Sequence, residues 1–223
     1  SVLPPECLIG LRKLCDENNM LLIFDEVQCG FLRSGNMFAH QWSGVEPDIM
    51  TTAKAIANGF PLGACLTSKK VGDVMDHGSH GSTYGGNPLA VAVGNAVLDL
   101  MLKEEFIEQL NKISEYLLSG LQSISKKYPD SIVEIRGKGL MLGLKCAKDN
   151  KDFVEELSKQ RMLSIKAGEN VVRLLPPLTI SINECDEALG KIAKACEAGK
   201  YKSTSGTGEC SSSCPVGTSS QLG

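Results

Sequence analysis

Apolar positions along this chain switch repeatedly between helical and extended spacing. In ECLIGLRKLCDEN, Leu8, Leu11 and Leu14 or Cys15 recur three to four residues apart, which predicts an amphipathic helix from Glu6 to Asn18 with Asn18-Asn19 as a polar stop. MLLIFDEV follows, an unbroken apolar run ending in two acids; it predicts a strand buried on both faces whose carboxyl end reaches a site. PDIMTTAKAIANGFPLGACLTS reads as a short strand, a Gly/Pro-containing turn and a second strand, so Lys54 falls in or beside a tight connection. After the HGSTYGG loop, Asn87 is expected to cap a helix that starts at Pro88 and continues through LAVAVGNAVLDLM to Met101, apolar enough to be well buried.

The second half has a different rhythm. A helical pattern runs from Glu104 to Lys127 and stops at Tyr128-Pro129-Asp130, after which IVEIRGKGLMLGLKC alternates around a Gly-rich turn as a hairpin does. DNKDFVEELSKQRM reads as a helix, VVRLLPPLTIS as a strand ended by proline, and NECDEALGKIAKACEAG as a terminal helix capped by Asn183. Helices flanking short strands make this an α+β unit, with a boundary near residue 105. From Lys200 onward Ser, Gly and Thr dominate, and the tail is expected to be disordered.

Composition narrows the function classes. The 223 residues are 42% hydrophobic and 22% charged, which suffices for one or two cores, and a net charge of −3 offers no basic field to nucleic acid. The longest apolar runs, Met20 to Phe24 and Leu140 to Leu144, are too short to cross a bilayer, and the N-terminus lacks a signal pattern, so a reducing, cytoplasmic setting is the expectation. Of nine cysteines, seven stand singly between Cys7 and Cys196 without CxxC spacing and read as reduced small hydrophobes. Cys210 and Cys214 flank three serines with no histidine nearby; no metal is expected there.

Two residues suggest chemistry. An acid directly after five apolar residues, Asp25, is costly unless it meets a cation or emerges at a strand end. Lys54 is an ordinary surface charge when taken alone, and Asp25 an ordinary strand-end acid. Their order gives them weight: a strand-end acid, a lysine in a turn, then a Gly/Ser/Thr-rich loop.

The runs FDEVQCGFLRSG, PDIMTTAKAIANGFPLGA, HGSTYGGNPLA and VVRLLPPLTIS, in that order, resemble the class III pyridoxal-phosphate-dependent aminotransferases, in the branch that acts on acetylornithine and ornithine. The resemblance covers about residues 1 to 198 and implies an α/β, fold-type-I architecture: part of a cofactor-binding large domain over 1–105, a small C-terminal α+β domain over 106–199, and the tail over 200–223. It implies that Lys54 holds the cofactor as a Schiff base and carries a proton during turnover, as a deprotonated, desolvated lysine can. Asp25 would pair with the protonated ring nitrogen. Val27 would pack on the ring and Gln28 would bond the ring hydroxyl; strand alternation does not account for Gln28, which rests on the resemblance. Thr83 would bond the cofactor phosphate of a neighbouring subunit in a homodimer, Ser82 would lie beside substrate, and Arg173 would grip the carboxylate of glutamate or 2-oxoglutarate.

The implied reaction moves the terminal amino group of N-acetylornithine, or of ornithine or another ω-amine, to 2-oxoglutarate in a ping-pong cycle. A non-catalytic remnant or partner-binding subunit is the alternative from another class. Ala55, Ala57 and Asn58 stand where the family is richer in glycine, and Leu32 where it favours a small residue. The family also has a long region ahead of the strand bearing Asp25, so the chain is expected to be a fragment that binds cofactor weakly and turns over little by itself.

Overall fold

The computed structural model describes residues 2–201. Cys210, Cys214 and the expected disorder of the tail therefore lie outside the described residues.

Helix α1 (Pro5–Glu17) begins with proline in its first turn, where a missing N–H costs nothing. It leads into strand β1 (Ile23–Asp25), which pairs in parallel with β2 (Ile49–Thr52); β2 pairs antiparallel with β3 (Ala64–Thr67). Asp48 ties α1 to the amino ends of β1 and β2. One carboxylate oxygen accepts from the Arg12 guanidinium and from the Leu22 N–H, both at 2.8 Å, and these donors hold its carboxyl below the usual range. A short helix α2 (Lys69–Gly72) follows β3, and helix α3 (Pro88–Met101) starts at Asn87, whose side chain accepts from the Ala90 N–H at 2.9 Å as the sequence predicts.

Two burial expectations fail here. Strand β1 is not covered on both faces: Ile23 is exposed, Phe24 half-buried and Asp25 exposed, and all four residues of β3 are exposed. Helix α3 buries only Ala90, Gly94 and Met101, while Leu89 is 62% exposed. Both segments are apolar enough to be interior, but no other element among the described residues packs on their outer faces.

The second half closes on itself. Helix α4 (Glu104–Lys127) matches its expected bounds and lays Leu110, Ile113, Leu117 and Leu121 on one face, at the spacing of a single buried stripe. That stripe covers a four-stranded antiparallel sheet of order β4-β5-β7-β6, formed by β4 (Ile132–Lys138), β5 (Met141–Cys146), β6 (Ile165–Ala167) and β7 (Val171–Leu174). Helices α5 (Asn150–Lys159) and α6 (Ile182–Tyr201) complete the layer. The terminal helix begins earlier than expected: its cap is Ser181, not Asn183. The Ser181 N–H and hydroxyl both donate to Glu184 at 2.8 Å, and the Glu184 N–H returns a bond to the Ser181 oxygen, the reciprocal box that an S-x-x-E run encodes.

A single large core joins the two halves. Leu110, Leu121, Leu144, Leu157, Val172 and Cys196 are at most 1% exposed, and Phe31, Leu32 and Met101 enter the same cluster from the first half. Leu32 thus fills core volume. It does so from a left-handed backbone (φ 61°), as does Phe31 (φ 51°), a conformation that L residues hold only when packing compensates. At the β4–β5 turn, Gly139 (φ +58°) lies so close to Ser34 and Gly35 that any Cβ would overlap their backbone.

Candidate active site

The site is built where β1 and β2 end. Parallel pairing sets Asp25 opposite Thr51, so both strands present their carboxyl ends to the same edge, and Lys54 follows two residues after β2 closes at Thr52. Lys54 opens a 3-10 turn (Lys54–Ala57) with a left-handed backbone, φ 49°. A non-glycine residue held in that region stores strain at one point, and such points cluster at functional sites.

Neither group is spent on the fold. Asp25 accepts one hydrogen bond, from the Val27 N–H at 3.0 Å, and is in no ion pair among the described residues. The Lys54 amine has no hydrogen-bond or ion-pair partner among the described residues. A carboxylate at the end of β1 and an amine just beyond the adjacent strand β2 are the group types that an aromatic nitrogen and an aldehyde on one small ring would engage.

Strand β1 ends at Asp25, and the chain then turns helically, with the Gly30 N–H bonding the Glu26 carbonyl at 3.1 Å. Strand alternation therefore stops applying at Asp25, which removes the difficulty over Gln28. The Gln28 side chain reaches across to β7, where its Oε1 accepts from Arg173 Nη1 at 2.9 Å. Arg173 Nε is buried with no hydrogen-bond partner among the described residues. A buried guanidinium N–H left unmatched by protein is costly unless something else accepts from it.

Asp25 and Arg173 line one cavity of about 650 Å³, within the range of small-molecule sites. Ser34, His40, Trp42, Arg136 and Lys138 also line it. Lys54, Val27, Gln28, Ser82 and Thr83 do not. Ser82 and Thr83 lie in the exposed loop before α3, away from this cavity.

Other lining residues escape sequence reasoning, among them Glu26, Cys29, Trp42 and Lys138. Glu26 is 3% exposed, and its carboxylate accepts from the backbone N–H groups of Ala39 and His40 at 2.8 Å each and meets the His40 ring at 3.1 Å. It organises the loop wall, and its only sequence signal was being the second acid of a pair. Cys29 donates to Glu26 at 3.2 Å, and burial, followed by the Glu26 charge, pushes its thiol up to about 12. Lys138 lies 4.0 Å from the centre of the Trp42 ring, a cation–π contact spanning 96 positions that no local pattern announces.

The model of the aminotransferase class-III family matches residues 1–196. The chain belongs to the class-III aminotransferases. It is 52% identical over 189 residues to the acetylornithine aminotransferase of Mesorhizobium japonicum, covering 85% of this chain and 47% of that protein. In three dimensions it is similar to the ornithine aminotransferase of Toxoplasma gondii crystallized with oxidized glutathione, a protein with partial occupancy of pyridoxal phosphate at its active site (TM-score 0.83, 33% identity, 90% of this chain and 49% of that one). The N-acetylornithine aminotransferase of Stenotrophomonas maltophilia K279a gives a TM-score of 0.77 at 35% identity, over 87% and 52% of the two chains. This class-III aminotransferase chain spans about half the length of the curated relatives it matches. No helix among its described residues is long and apolar enough to cross a membrane.

Proposed function

We propose that this chain carries the lysine, the ring-binding carboxylate and the carboxylate-gripping arginine of a pyridoxal-phosphate-dependent transaminase that moves the terminal amino group of N-acetylornithine to 2-oxoglutarate, a step of arginine biosynthesis. Support for the acetylornithine donor comes from relatives of that name at 43–52% identity. The observation that carries the reading is the pair Asp25, in no ion pair, and Lys54, whose amine has no partner among the described residues, presented at and just beyond adjacent strand ends.

Pyridoxal phosphate supplies an electron sink for the carbanion formed when the donor loses a proton. Asp25 keeps a proton on the ring nitrogen by charge. Lys54 would hold the cofactor through its side-chain amine and would move a proton at the amine-bearing carbon of the donor. Val27 packs against the ring, and Gln28 donates an amide N–H to the ring hydroxyl oxygen. Arg173 binds a carboxylate of 2-oxoglutarate, for which its buried, unpartnered Nε–H is suited. Thr83 bonds the cofactor phosphate of a second subunit in a homodimer and Ser82 lies beside substrate, roles consistent with an exposed loop. The unit over 1–105 serves as part of the cofactor-binding domain and 106–199 as the small domain, in a cytoplasmic, thiol-reducing setting.

The test is to incubate the chain with pyridoxal phosphate, reduce with borohydride and map the adduct by mass spectrometry. The modification is expected on Lys54 and is expected to vanish in Lys54→Ala. An adduct spread over surface lysines, undiminished by that substitution, would refute the assignment.

A further inference from the structure

Gln28 bonds Arg173 across 145 positions of sequence, from the loop after β1 to the middle of β7. Arginine has no acceptor atom, so the amide orientation is fixed by chemistry: Gln28 must turn its oxygen to the guanidinium, leaving its NH₂ directed elsewhere. On the guanidinium, Gln28 takes Nη1. The opposite edge, Nε with Nη2, has no partner among the described residues, and its Nε is buried. That edge is the planar fork which matches the two oxygens of a carboxylate. A second crossing reinforces the first in the reverse direction: Arg33 Nη1, from the same loop, donates to the Pro176 carbonyl at 2.5 Å and the Leu140 carbonyl at 3.2 Å, pinning the chain just beyond β7.

We propose that Gln28 is a positioning residue for Arg173: it holds Nη1 so that the Nε/Nη2 edge faces the incoming carboxylate, and being neutral it adds no negative charge of its own against a dianionic acceptor. This rests on the reading of Arg173 as the carboxylate-binding group. One side chain would then serve two ligands, its amide oxygen orienting the arginine and its amide nitrogen free for the cofactor ring. A carboxylate at position 28 would do the opposite, forming an ion pair that competes with substrate for the same cation.

The test is a calorimetric titration of glutarate, a dicarboxylate that cannot be transaminated, into the purified chain without cofactor, comparing wild type with Gln28→Glu, Gln28→Asn and Arg173→Gln. Arg173→Gln is expected to abolish binding. Gln28→Glu, nearly isosteric, should weaken it about tenfold or more, as loss of a charge-assisted contact does. Gln28→Asn, one methylene too short to reach Nη1, should weaken it by a smaller factor, with circular dichroism confirming that both variants remain folded. If both Gln28 variants bind glutarate as wild type does while Arg173→Gln is impaired, the positioning role is wrong and the Arg173 reading stands. If Arg173→Gln binds normally, or wild type does not bind, the Arg173 reading fails and this inference falls with it.

Discussion

The two halves of this chain use apolar residues in opposite ways. From α4 onward, helices and strands share one large core in which Leu121, Leu144, Leu157 and Ile192 have no measurable exposure, although edge positions such as Val133 and Ile165 stay open. Before α4, strands of similar composition remain open: Ile23 is 58% and Leu66 44% exposed, and the separate small core holds only Cys15, Leu22 and Val45. The residues proposed to meet cofactor lie in the open half, while Arg173, proposed to meet substrate, projects from the closed one. The cavity forms where the two halves meet, so one wall is set by a packed sheet and the other by loops held to it through a few polar crossings.

Substitutions of the same kind in the two halves should therefore differ most. Leu121→Ala should cost about 2–5 kcal/mol in urea unfolding, because it opens a cavity in a closed core. Leu89→Ala, on the exposed side of α3, should stay within about 0.5 kcal/mol. Equal losses would erase the distinction. Arg33→Met comes next at about 1–3 kcal/mol, since two carbonyls lose their donor, and hydrogen exchange should quicken in residues 26–42 more than in β5. Uniform quickening would mean that the loop wall is not separately held.

The smallest expected effect is on pH. Cys29 keeps its proton in the fold up to about 12, whereas an unfolded thiol releases it near 9. The unfolded state binds fewer protons across that window, so stability should fall as pH rises through it, and Cys29→Ser should remove part of the slope. Cys7 and Cys65, both exposed, should alkylate at pH 8 while Cys29 lags. Rapid alkylation of Cys29 would show that the loop wall does not shield it.

Local order was well written in the sequence and burial was not. The bounds of α4 follow from a long amphipathic stripe with a proline breaker beyond it, and the β4–β5 hairpin from glycines that its turn requires. The Ser181 cap is also encoded, as Ser181 and Glu184 in S-x-x-E, although Asn183 two residues on is an equally favourable capping type. Strand β6 escaped because three residues carry no periodicity. The open faces of β1 and α3 were illegible because apolar content states what a segment can bury and not whether a partner is supplied. For the site, Asp25 and Lys54 stood out through order along the chain. The Gln28–Arg173 contact, the Arg33 crossing and the Trp42–Lys138 contact join positions 96 to 145 apart, beyond the reach of any spacing rule.

The central claim is that the carboxylate of Asp25 and the amine of Lys54 serve one ring. The most direct measurement is a crystal structure of the chain grown with pyridoxal phosphate. The account predicts a pyridine nitrogen within hydrogen-bond distance of Asp25 and continuous density from the ring to Lys54 Nζ. A ring bound elsewhere, or attached to Lys54 with its nitrogen turned away from Asp25, would contradict it.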